Sequence, residues 1–376
     1  MDILSGISIV IATKGRVKLL GDLLESVYEA RGRFDKKCEV LLVDDSNAHD
    51  AAEIETLCLR YDARRIEFGP SVAEKRNVGA RAAQYDIILF LDSDCIATEE
   101  LLNEHYRMYT DDHVGAVAGL LQFVGEDTWF WKAVEMTPFV VCFGFPGWMD
   151  EVPWTPTANC SVRKDIFERV NGFDRSFPDK PGGEDVDLGL RITDLGYVMK
   201  CNKHALVYHS KKTWIPVKAM IKRLWHYGSA DWYLVDKHPT YVMNVLPRKP
   251  LTLAAGLLTI LLSVLITGNL WILTLLLLWP LVDLALTSLF FHCMGRYKNR
   301  STGYLRQAVV QLLIFDNELG YVVRCICKGK PSYLFKNMVY FDGQMDGILE
   351  NGSVKVWCDF VSYMLLFIAL FLIIAL

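Results

Sequence analysis

The chain has 376 residues, which is long enough for one large or two modest domains. Its formal net charge is −4. Because this charge provides no overall basic surface, nucleic acid is excluded as an expected partner. The ten cysteines are scattered without a CxxC pair, which excludes a common zinc site and a disulfide framework, so we expect reduced thiols in a cytosolic compartment.

Apolar residues are concentrated in the last third of the chain, and this asymmetry divides it in two. Residues 1–245 mix charge with short apolar runs, as a water-soluble α/β domain does. Residues 246–376 contain long stretches almost free of charge. The apolar run at residues 7–12 is too short for the core of a signal peptide and lacks a basic leader, so it does not predict export. We therefore predict a soluble domain attached to a bilayer.

Three short apolar runs in the first part of the chain predict strands of one sheet. These runs are residues 7–12, 40–43 and 87–91. Helical patterns lie between them, so we expect a parallel sheet with right-handed crossovers. Ligands of such sheets bind outside the carboxyl ends of the strands. Acidic pairs stand at two of these ends, at residues 44–45 and 92–94.

The connections after the second strand carry further local signals. Ser71 followed by Glu74 has the form of a capping box, which predicts that a helix begins there and carries Arg76 in its first turns. Between residues 114 and 208 the pattern is less regular, and residues 148–156 are rich in Trp and Pro. We expect loops on the substrate side of the sheet in this region.

The apolar part of the chain predicts three membrane spans. They cover about residues 251–268, 270–293 and 357–376, and the first two form a helical hairpin. The segment at about 304–330 is amphipathic, which favours an interfacial helix over a fourth span. Asp283 lies inside the second predicted span, where a carboxylate is costly in lipid, so we expect it to face protein or a polar headgroup.

Basic residues flank both ends of the predicted hairpin on one side of the membrane, and its turn has none. They are Arg248, Lys249, Arg296, Lys298 and Arg300. Such a bias is typical of the cytosolic side. We therefore predict a multi-pass protein of the cell membrane or endoplasmic reticulum membrane, with its soluble domain on the cytosolic side.

The strongest local signal for chemistry is the segment 90–94, in which Asp92 and Asp94 follow a buried strand. Their spacing lets both carboxylates approach one hard cation, Mg²⁺ or Mn²⁺. Such a cation neutralises a diphosphate and stabilises negative charge on a leaving nucleotide. The alternative is a solvated turn or a helix cap, since a DxD triplet is frequent by chance.

A second signal is the segment 181–188, where two glycines lead into Glu184 and Asp185 at a predicted helix start. Glycine allows the backbone to approach a ligand closely. The N-terminus of a helix favours an ionised carboxylate, which can accept a proton from a hydroxyl group. The alternative is a well-capped helix with an acidic first turn.

Taken in order, these segments resemble the nucleotide-sugar-binding glycosyltransferases of family 2. The resemblance covers most of residues 7–230 and implies the GT-A fold, an α/β fold with a Rossmann-like, mostly parallel sheet. The matching segments are residues 9–16, 43–46, 75–79, 91–94, 157–163, 171–174 and 183–185.

The resemblance also implies roles for individual residues. The donor-binding residues are Thr13, Arg16, Asp45, Arg76, Asp92 and Asn159. Asp92 and Asp94 hold the metal ion, and His209 lies where many GT-A enzymes place a further metal or phosphate contact. The alternative for His209 is a hydrogen-bonded surface residue. Asp185 is the catalytic base, and Glu184 helps to position the acceptor or the donor sugar.

The chemistry that follows from the resemblance is a single in-line displacement with inversion. Arg16 and Arg76 are expected to contact the donor phosphates, because a guanidinium pairs with phosphate oxygens in a bidentate manner. The alternative for both is ordinary surface charge. Asp185 takes the proton of the acceptor while the cation and Arg76 stabilise the departing diphosphate.

One segment departs from the processive synthases of the same family. Those enzymes carry a Gln-x-x-Arg-Trp motif beside the membrane, whereas residues 222–227 read KRLWHY. Three spans are also few for a polymer channel. We therefore expect transfer of one sugar to a lipid-linked or other membrane-bound acceptor. The alternatives are a processive polysaccharide synthase and a non-catalytic membrane scaffold with a nucleotide-binding domain.

Overall fold

The structure of the protein is a computed structural model that describes residues 4–178, 182–297, 303–340 and 346–375. Some residues used in the sequence predictions lie outside this part of the chain. They are Pro181, Lys298, Arg300, Leu376 and the side chain of Arg296.

The chain divides into two compact units. The first comprises residues 1–126 and 138–216, and the second comprises residues 127–137 and 217–376. The composition of the sequence suggested a boundary at residue 245, whereas the helix that begins at Val217 belongs to the second unit. The reason is its tight packing against a later helix of that unit, at a pair of glycines.

Eight strands of the first unit form one sheet. They are β1 (Gly6–Thr13), β2 (Lys37–Asp44), β3 (Arg64–Glu67), β4 (Ile87–Asp92), β5 (Cys95–Ala97), β6 (Val114–Val124), β7 (Asn159–Arg163) and β8 (Val198–Ser210). Their order is β3-β2-β1-β4-β7-β6-β8-β5. The first four strands in this order pair in parallel, and β6 pairs with β8 in parallel, whereas β7 is antiparallel to its two neighbours. The prediction of a mostly parallel sheet is confirmed.

The helices of both units are numbered in chain order. They are α1 (Val17–Arg33), α2 (Ala48–Arg60), α3 (Val72–Ala82), α4 (Leu101–Tyr106), α5 (Trp131–Val134), α6 (Pro138–Val141), α7 (Lys164–Arg169), α8 (Glu184–Asp194), α9 (Val217–Lys237), α10 (Lys249–Thr267), α11 (Leu275–Tyr297), α12 (Tyr304–Cys327) and α13 (Asp346–Ala375). The predicted start of α3 is confirmed, since the Ser71 hydroxyl accepts the N–H of Glu74 at 3.4 Å.

The central strand β4 shows how both faces of the sheet are covered. Successive side chains of a strand point to opposite faces. Leu89 and Leu91 pack into the core that contains β1 and α1. Phe90 points to the other face, where its ring centroid lies 5.5 Å from that of Phe167 and 5.3 Å from that of Phe173. A strand buried on both faces explains the continuous apolar run in the sequence.

Among the described residues of the second unit, three helical segments are long and apolar enough to cross a membrane. They are Lys249–Thr267, Leu270–Met294 and Lys355–Ala375, close to the predicted spans. Asp283 is buried and accepts a hydrogen bond from Nζ of Lys249 at 2.7 Å, and the same ammonium contacts Asp359. The prediction that Asp283 faces protein is therefore confirmed.

The helices α9 and α12 pack closely against each other at two glycines. A Cβ atom on Gly228 would lie 1.8 Å from the carbonyl oxygen of Asn317, and one on Gly320 would lie 2.4 Å from that of Trp225. Only glycine permits so close a backbone approach. The segment predicted as an interfacial helix thus forms α12, which packs along α9, and its place at the membrane surface stays a prediction.

Candidate active site

The carboxyl ends of three parallel strands bring the two acidic motifs to one edge of the sheet. Asp44 ends β2 and Asp92 ends β4, while Thr13 ends β1, which lies between these strands. This edge is where α/β sheets of this kind bind ligands.

Three side chains at this edge could hold one metal ion. One ligand atom each from Asp92, Asp94 and His209 lies within 4.8 Å of the others. Nε2 of His209 is 3.4 Å from Oδ1 of Asp94 and 3.9 Å from Oδ2 of Asp92. His209 comes to this place because β5 begins directly after Asp94 and pairs with β8, opposite Cys95. Carboxylate oxygens are ligands that Mg²⁺ and Mn²⁺ prefer, and imidazole is a common metal ligand. The donor set therefore fits the predicted cation.

In Asp92 and in Asp94, the carboxylate oxygen farther from His209 accepts hydrogen bonds from other side chains. Oδ1 of Asp92 accepts a hydrogen bond from Nη2 of Arg76 at 3.1 Å. Oδ2 of Asp94 accepts one from Nη1 of Arg16 at 3.1 Å and one from the hydroxyl of Thr213 at 2.9 Å. Each carboxylate keeps its second oxygen on the side of the imidazole. Partners of this kind orient metal ligands and raise metal affinity.

Opposite charges in this group fix its protonation state. Burial opposes ionisation of Asp92, but the imidazole of His209 and the guanidinium of Arg76 outweigh it and hold the pKa of Asp92 well below its usual range. Burial likewise opposes the charged form of His209, yet Asp92 and Asp94 raise the pKa of this imidazole. A metal ion that binds here displaces the imidazole proton, so its affinity is expected to fall as the pH falls.

Replacing Thr213 with Val is expected to weaken metal binding about 10- to 100-fold, because Asp94 loses a hydroxyl group that orients it. Isothermal titration of the purified protein with Mn²⁺ would measure this effect. Thr213→Ser keeps the hydroxyl group and should bind Mn²⁺ like the unchanged protein. Equal affinity of the Val variant would mean that Arg16 alone orients the carboxylate.

We call Asp92, Asp94 and His209 the candidate metal group, and a buried arginine connects this group with the acidic motif at Glu184 and Asp185. Arg76 donates from Nη2 to Asp92 and from Nη1 to Oε1 of Glu184, at 2.9 Å. Oε2 of Glu184 accepts the backbone N–H of Gly182 at 2.7 Å. The guanidinium lies over the ring of Phe173, 5.5 Å from its centroid. One side chain thus holds two motifs that are far apart in sequence.

Asp185 stands beside this arginine at the start of α8. Gly183 precedes the helix in a left-handed conformation, with φ of 84°, which glycine adopts without strain. The carboxylate of Asp185 accepts the N–H of Val186 at 2.9 Å. Burial and the charge of Glu184 raise the pKa of Asp185 to about 7, although Arg76 opposes the shift. A carboxylate with such a pKa can accept a proton at neutral pH.

At the end of β2, Asp45 is held by two lysines. Nζ of the buried Lys75 donates to Oδ1 of Asp45 at 2.5 Å and to the carbonyl oxygen of Thr13 at 2.6 Å. Nζ of Lys14 lies 2.9 Å from Oδ2 of Asp45. Burial opposes ionisation of Asp45, but both lysines outweigh it and lower its pKa. Lys75 is not among the predicted site residues. The one signal for its role in the sequence is its position directly before Arg76, near the start of α3.

Comparison with known families assigns this domain. A family model described as "Glycosyl transferase family 2" matches residues 8–170. This segment is a family 2 glycosyltransferase domain. The match covers β1 to β7 and the DxD motif, while Glu184, Asp185 and His209 lie beyond it.

Curated proteins related to the glycosyltransferase domain are much longer than the part they share with it. The O-antigen biosynthesis protein RfbC of Myxococcus xanthus is 27% identical over 231 residues, which is 54% of this chain and 17% of RfbC. The chondroitin synthase of Escherichia coli is 25% identical over 246 residues, 56% of this chain and 35% of the synthase. The chain thus spans about a third or less of the length of these two relatives.

A solved structure confirms the fold class. A mannosyltransferase from Pyrobaculum calidifontis, in complex with GDP-Man and Mn²⁺, matches with a TM-score of 0.54 and 16% sequence identity. The match covers 85% of this chain and 88% of that chain. The predicted GT-A fold, a mostly parallel α/β sheet followed by helices, is therefore confirmed.

Within the glycosyltransferase domain, the motif at residues 75–79 has a structural explanation. Nδ2 of Asn77 donates to the carbonyl oxygen of Phe173 at 2.9 Å, and the N–H of Phe173 donates back at 2.8 Å. These bonds place the ring of Phe173 under Arg76. A Cβ atom on Gly79 would lie 2.4 Å from Cγ1 of Val10, so glycine lets α3 pack directly on β1.

The side chain of Asn159 is engaged inside the sheet. Its amide group donates to the carbonyl oxygens of Leu120 and Ala205, at 3.0 and 2.8 Å, and its oxygen lies 2.9 Å from Nε2 of His105. A Cβ atom on Gly119 would lie 2.2 Å from Nδ2 of Asn159, so glycine makes room for this amide. Asn159 thus ties three strands together, and its contact with a donor stays a prediction.

Aromatic rings surround the imidazole of His209. The centroids of Phe123, Phe143 and Trp214 lie 5.2, 6.5 and 6.3 Å from that of His209. They restrict the ring and exclude water behind it. No spacing in the sequence marks these residues, because they come from three separate segments.

Proposed function

We propose that the protein transfers a single sugar, with inversion, from a nucleotide-sugar donor to a membrane-associated, lipid-linked acceptor. The observation that carries the proposal is the connection of Asp92, Asp94 and His209 through Arg76 to Glu184. This connection sets a candidate metal group beside Asp185, a carboxylate with a pKa of about 7. A metal group and a general base at one edge of a GT-A sheet are the parts that sugar transfer from a nucleotide requires.

In the proposed donor complex, Thr13 and Asp45 bind the nucleoside, while Arg16 and Arg76 pair with the diphosphate. Asp92, Asp94 and His209 would hold Mg²⁺ or Mn²⁺, which would supply positive charge next to the leaving diphosphate. This arrangement accounts for the cationic side chains that the structure collects around the acidic motif.

Asp185 accepts the proton of the acceptor hydroxyl as the acceptor oxygen attacks the anomeric carbon. The bond from this carbon to the diphosphate breaks on the opposite face, so the configuration inverts. Glu184, fixed by Arg76 and Gly182, positions the acceptor or the sugar.

An apolar segment supports a lipid-linked acceptor. Residues 138–147 form a short apolar helical segment, in which Val141 is 39% exposed, and the neighbouring Trp148 is 56% exposed. Burial and the charge of Asp185 raise the pKa of the Cys142 thiol, so this segment lies within electrostatic range of the proposed base. Apolar side chains exposed at a substrate site favour an apolar ligand.

The proposal is tested by incubating purified, reconstituted protein with UDP-, GDP- and dTDP-sugars and extracted membrane lipids. We expect transfer from one donor class to a lipid fraction, only in the presence of Mg²⁺ or Mn²⁺, and loss of transfer on chelation. Mass spectrometry of the product should show one added sugar. Longer products would instead support the processive alternative, and no turnover of any donor would support the scaffold alternative.

The pH dependence of kcat/KM should report the titration of Asp185. Because its pKa is raised to about 7, the basic form accumulates only as the pH rises toward and beyond 7. We therefore expect kcat/KM to rise with pH up to about 7 and then level off. Saturating metal must be used, since protons compete with the metal at His209. A profile already flat at pH 5 would contradict this assignment.

A further inference from the structure

The second unit carries a group of cations over aromatic rings. We call it the cation–aromatic patch; its members are Trp232, Tyr233, Arg324, Lys328, Lys330, Tyr333 and Lys336. The cationic groups lie between 4.6 and 5.7 Å from the ring centroids, within the range of cation–π attraction. The rings also contact each other, with centroids of Trp232 and Tyr233 5.1 Å apart.

Most of the positive charge of this patch has no carboxylate partner. Lys330 contacts Asp236. Within the part of the chain that the structure describes, no ion pair involves Arg324, Lys328 or Lys336. The patch therefore carries a net positive charge in a protein whose formal charge is −4. Such a local excess attracts an anionic partner.

Hydrogen bonds fix the patch at the start of the first candidate span. Nη2 of Arg248 donates to the carbonyl oxygen of Lys336 and to Oδ1 of Asn337, both at 3.2 Å. The N–H of Val245 donates to the carbonyl oxygen of Phe335 at 2.8 Å. Arg248 directly precedes α10. With α10 inserted in a bilayer, Lys336 lies at the level where the span leaves the hydrocarbon, which is the headgroup layer.

Exposed apolar side chains border the patch on the same segments. Met243 and Leu246, which precede α10, are 43% and 64% exposed, and Phe335 beside Lys336 is 48% exposed. Aromatic and basic residues combined with exposed apolar ones are typical of protein surfaces in the membrane interface.

We propose that the cation–aromatic patch binds the headgroups of anionic phospholipids in the bilayer that the three spans enter. Arg324, Lys328 and Lys336 pair with lipid phosphates, while Phe335 and Leu246 enter the upper acyl region. The inference rests on the proposed membrane insertion and is independent of donor, acceptor and catalysis. Because Arg248 directly precedes α10 and bonds Lys336, an inserted α10 brings the patch to the headgroup layer, which favours lipid over a soluble acidic protein.

The test uses the full chain reconstituted in phosphatidylcholine vesicles. Spin-labelled phosphatidylglycerol and spin-labelled phosphatidylcholine report the relative association of the two lipids with the protein. We expect the unchanged protein to prefer phosphatidylglycerol, and the preference to decrease with added salt. Replacing Arg324, Lys328 and Lys336 with Gln should remove most of it, since each cation near an anionic surface contributes about fivefold, the equivalent of ~1 kcal/mol.

Two further variants keep the outcome interpretable. Replacing Lys328 and Lys336 with Arg, and leaving Arg324 unchanged, preserves the charge and should retain the preference for phosphatidylglycerol. This variant separates the effect of charge from an effect on folding. Replacing Arg60, Lys36 and Lys203, which are exposed in the first unit, with Gln removes the same charge elsewhere and should leave the preference unchanged. The proposal is overturned if the patch variant keeps its lipid preference, if the remote variant loses it equally, or if the patch captures an acidic protein instead of lipid. Extraction of membranes with alkaline carbonate tests insertion separately, and donor hydrolysis tests catalysis.

Discussion

Replacing Asp185 with Asn is expected to lower kcat for sugar transfer about 10²- to 10⁴-fold, the usual contribution of a general base. The amide has the size of the carboxylate but cannot accept the proton of the acceptor hydroxyl. Asp185 is not part of the candidate metal group, so the affinities for donor and metal should remain unchanged. Initial rates and calorimetric titration with donor would measure both effects on the same preparation.

A matched control for this variant lies on the same helix. Asp194 is an exposed residue at the end of α8, and Asp194→Asn should keep the activity of the unchanged protein. Undiminished transfer by Asp185→Asn would show that another group takes the proton. A loss of donor binding in that variant would assign Asp185 to donor recognition instead.

Replacing Asp94 with Ala is expected to reduce metal-dependent transfer by about 10³-fold or more, because the charge that a metal ion supplies to a leaving group contributes several kcal/mol. The variant removes one ligand and also leaves Arg16 and Thr213 without their shared acceptor. Binding of Mn²⁺, followed by electron paramagnetic resonance, should weaken in parallel with the rate.

The control for this variant is Asp35→Ala, which removes an exposed carboxylate remote in sequence from the acidic motif. It should bind Mn²⁺ and transfer sugar normally. If Asp94→Ala retained metal-dependent transfer, the metal ion of the reaction would bind outside the group formed with Asp92 and His209.

Much of the sheet could be predicted from the sequence, because strands buried on both faces leave continuous apolar runs. Residues 7–12, 40–43 and 87–91 are such runs, and each lies within an observed strand. The carboxyl ends of these strands then fix where Asp92 lies. The DxD motif and the glycine pair before Glu184 could also be recognised in the sequence, because each lies within one short segment.

The remaining parts of the site depend on contacts between distant segments, which local patterns do not encode. The place of His209 beside Asp94 follows from the pairing of β5 with β8; the sequence argument reached it only through a family resemblance. The bond from Thr213 to Asp94 joins residues 119 positions apart. Asn159 belongs to a matching motif, yet its amide is used within the sheet.

The ion pairs of the Lys249 ammonium group bear on the order in which the apolar helices of the second unit assemble during synthesis. It pairs with Asp283, 34 residues later, and with Asp359, 110 residues later. If the candidate spans insert into a bilayer during synthesis, α10 and α11 emerge first and already contain Lys249 and Asp283, which would enter as a neutral ion pair. The helix α13 would then bring Asp359 to an ammonium group that is already in place. Biogenesis of this protein should therefore tolerate a delay before α13, but not the loss of Lys249.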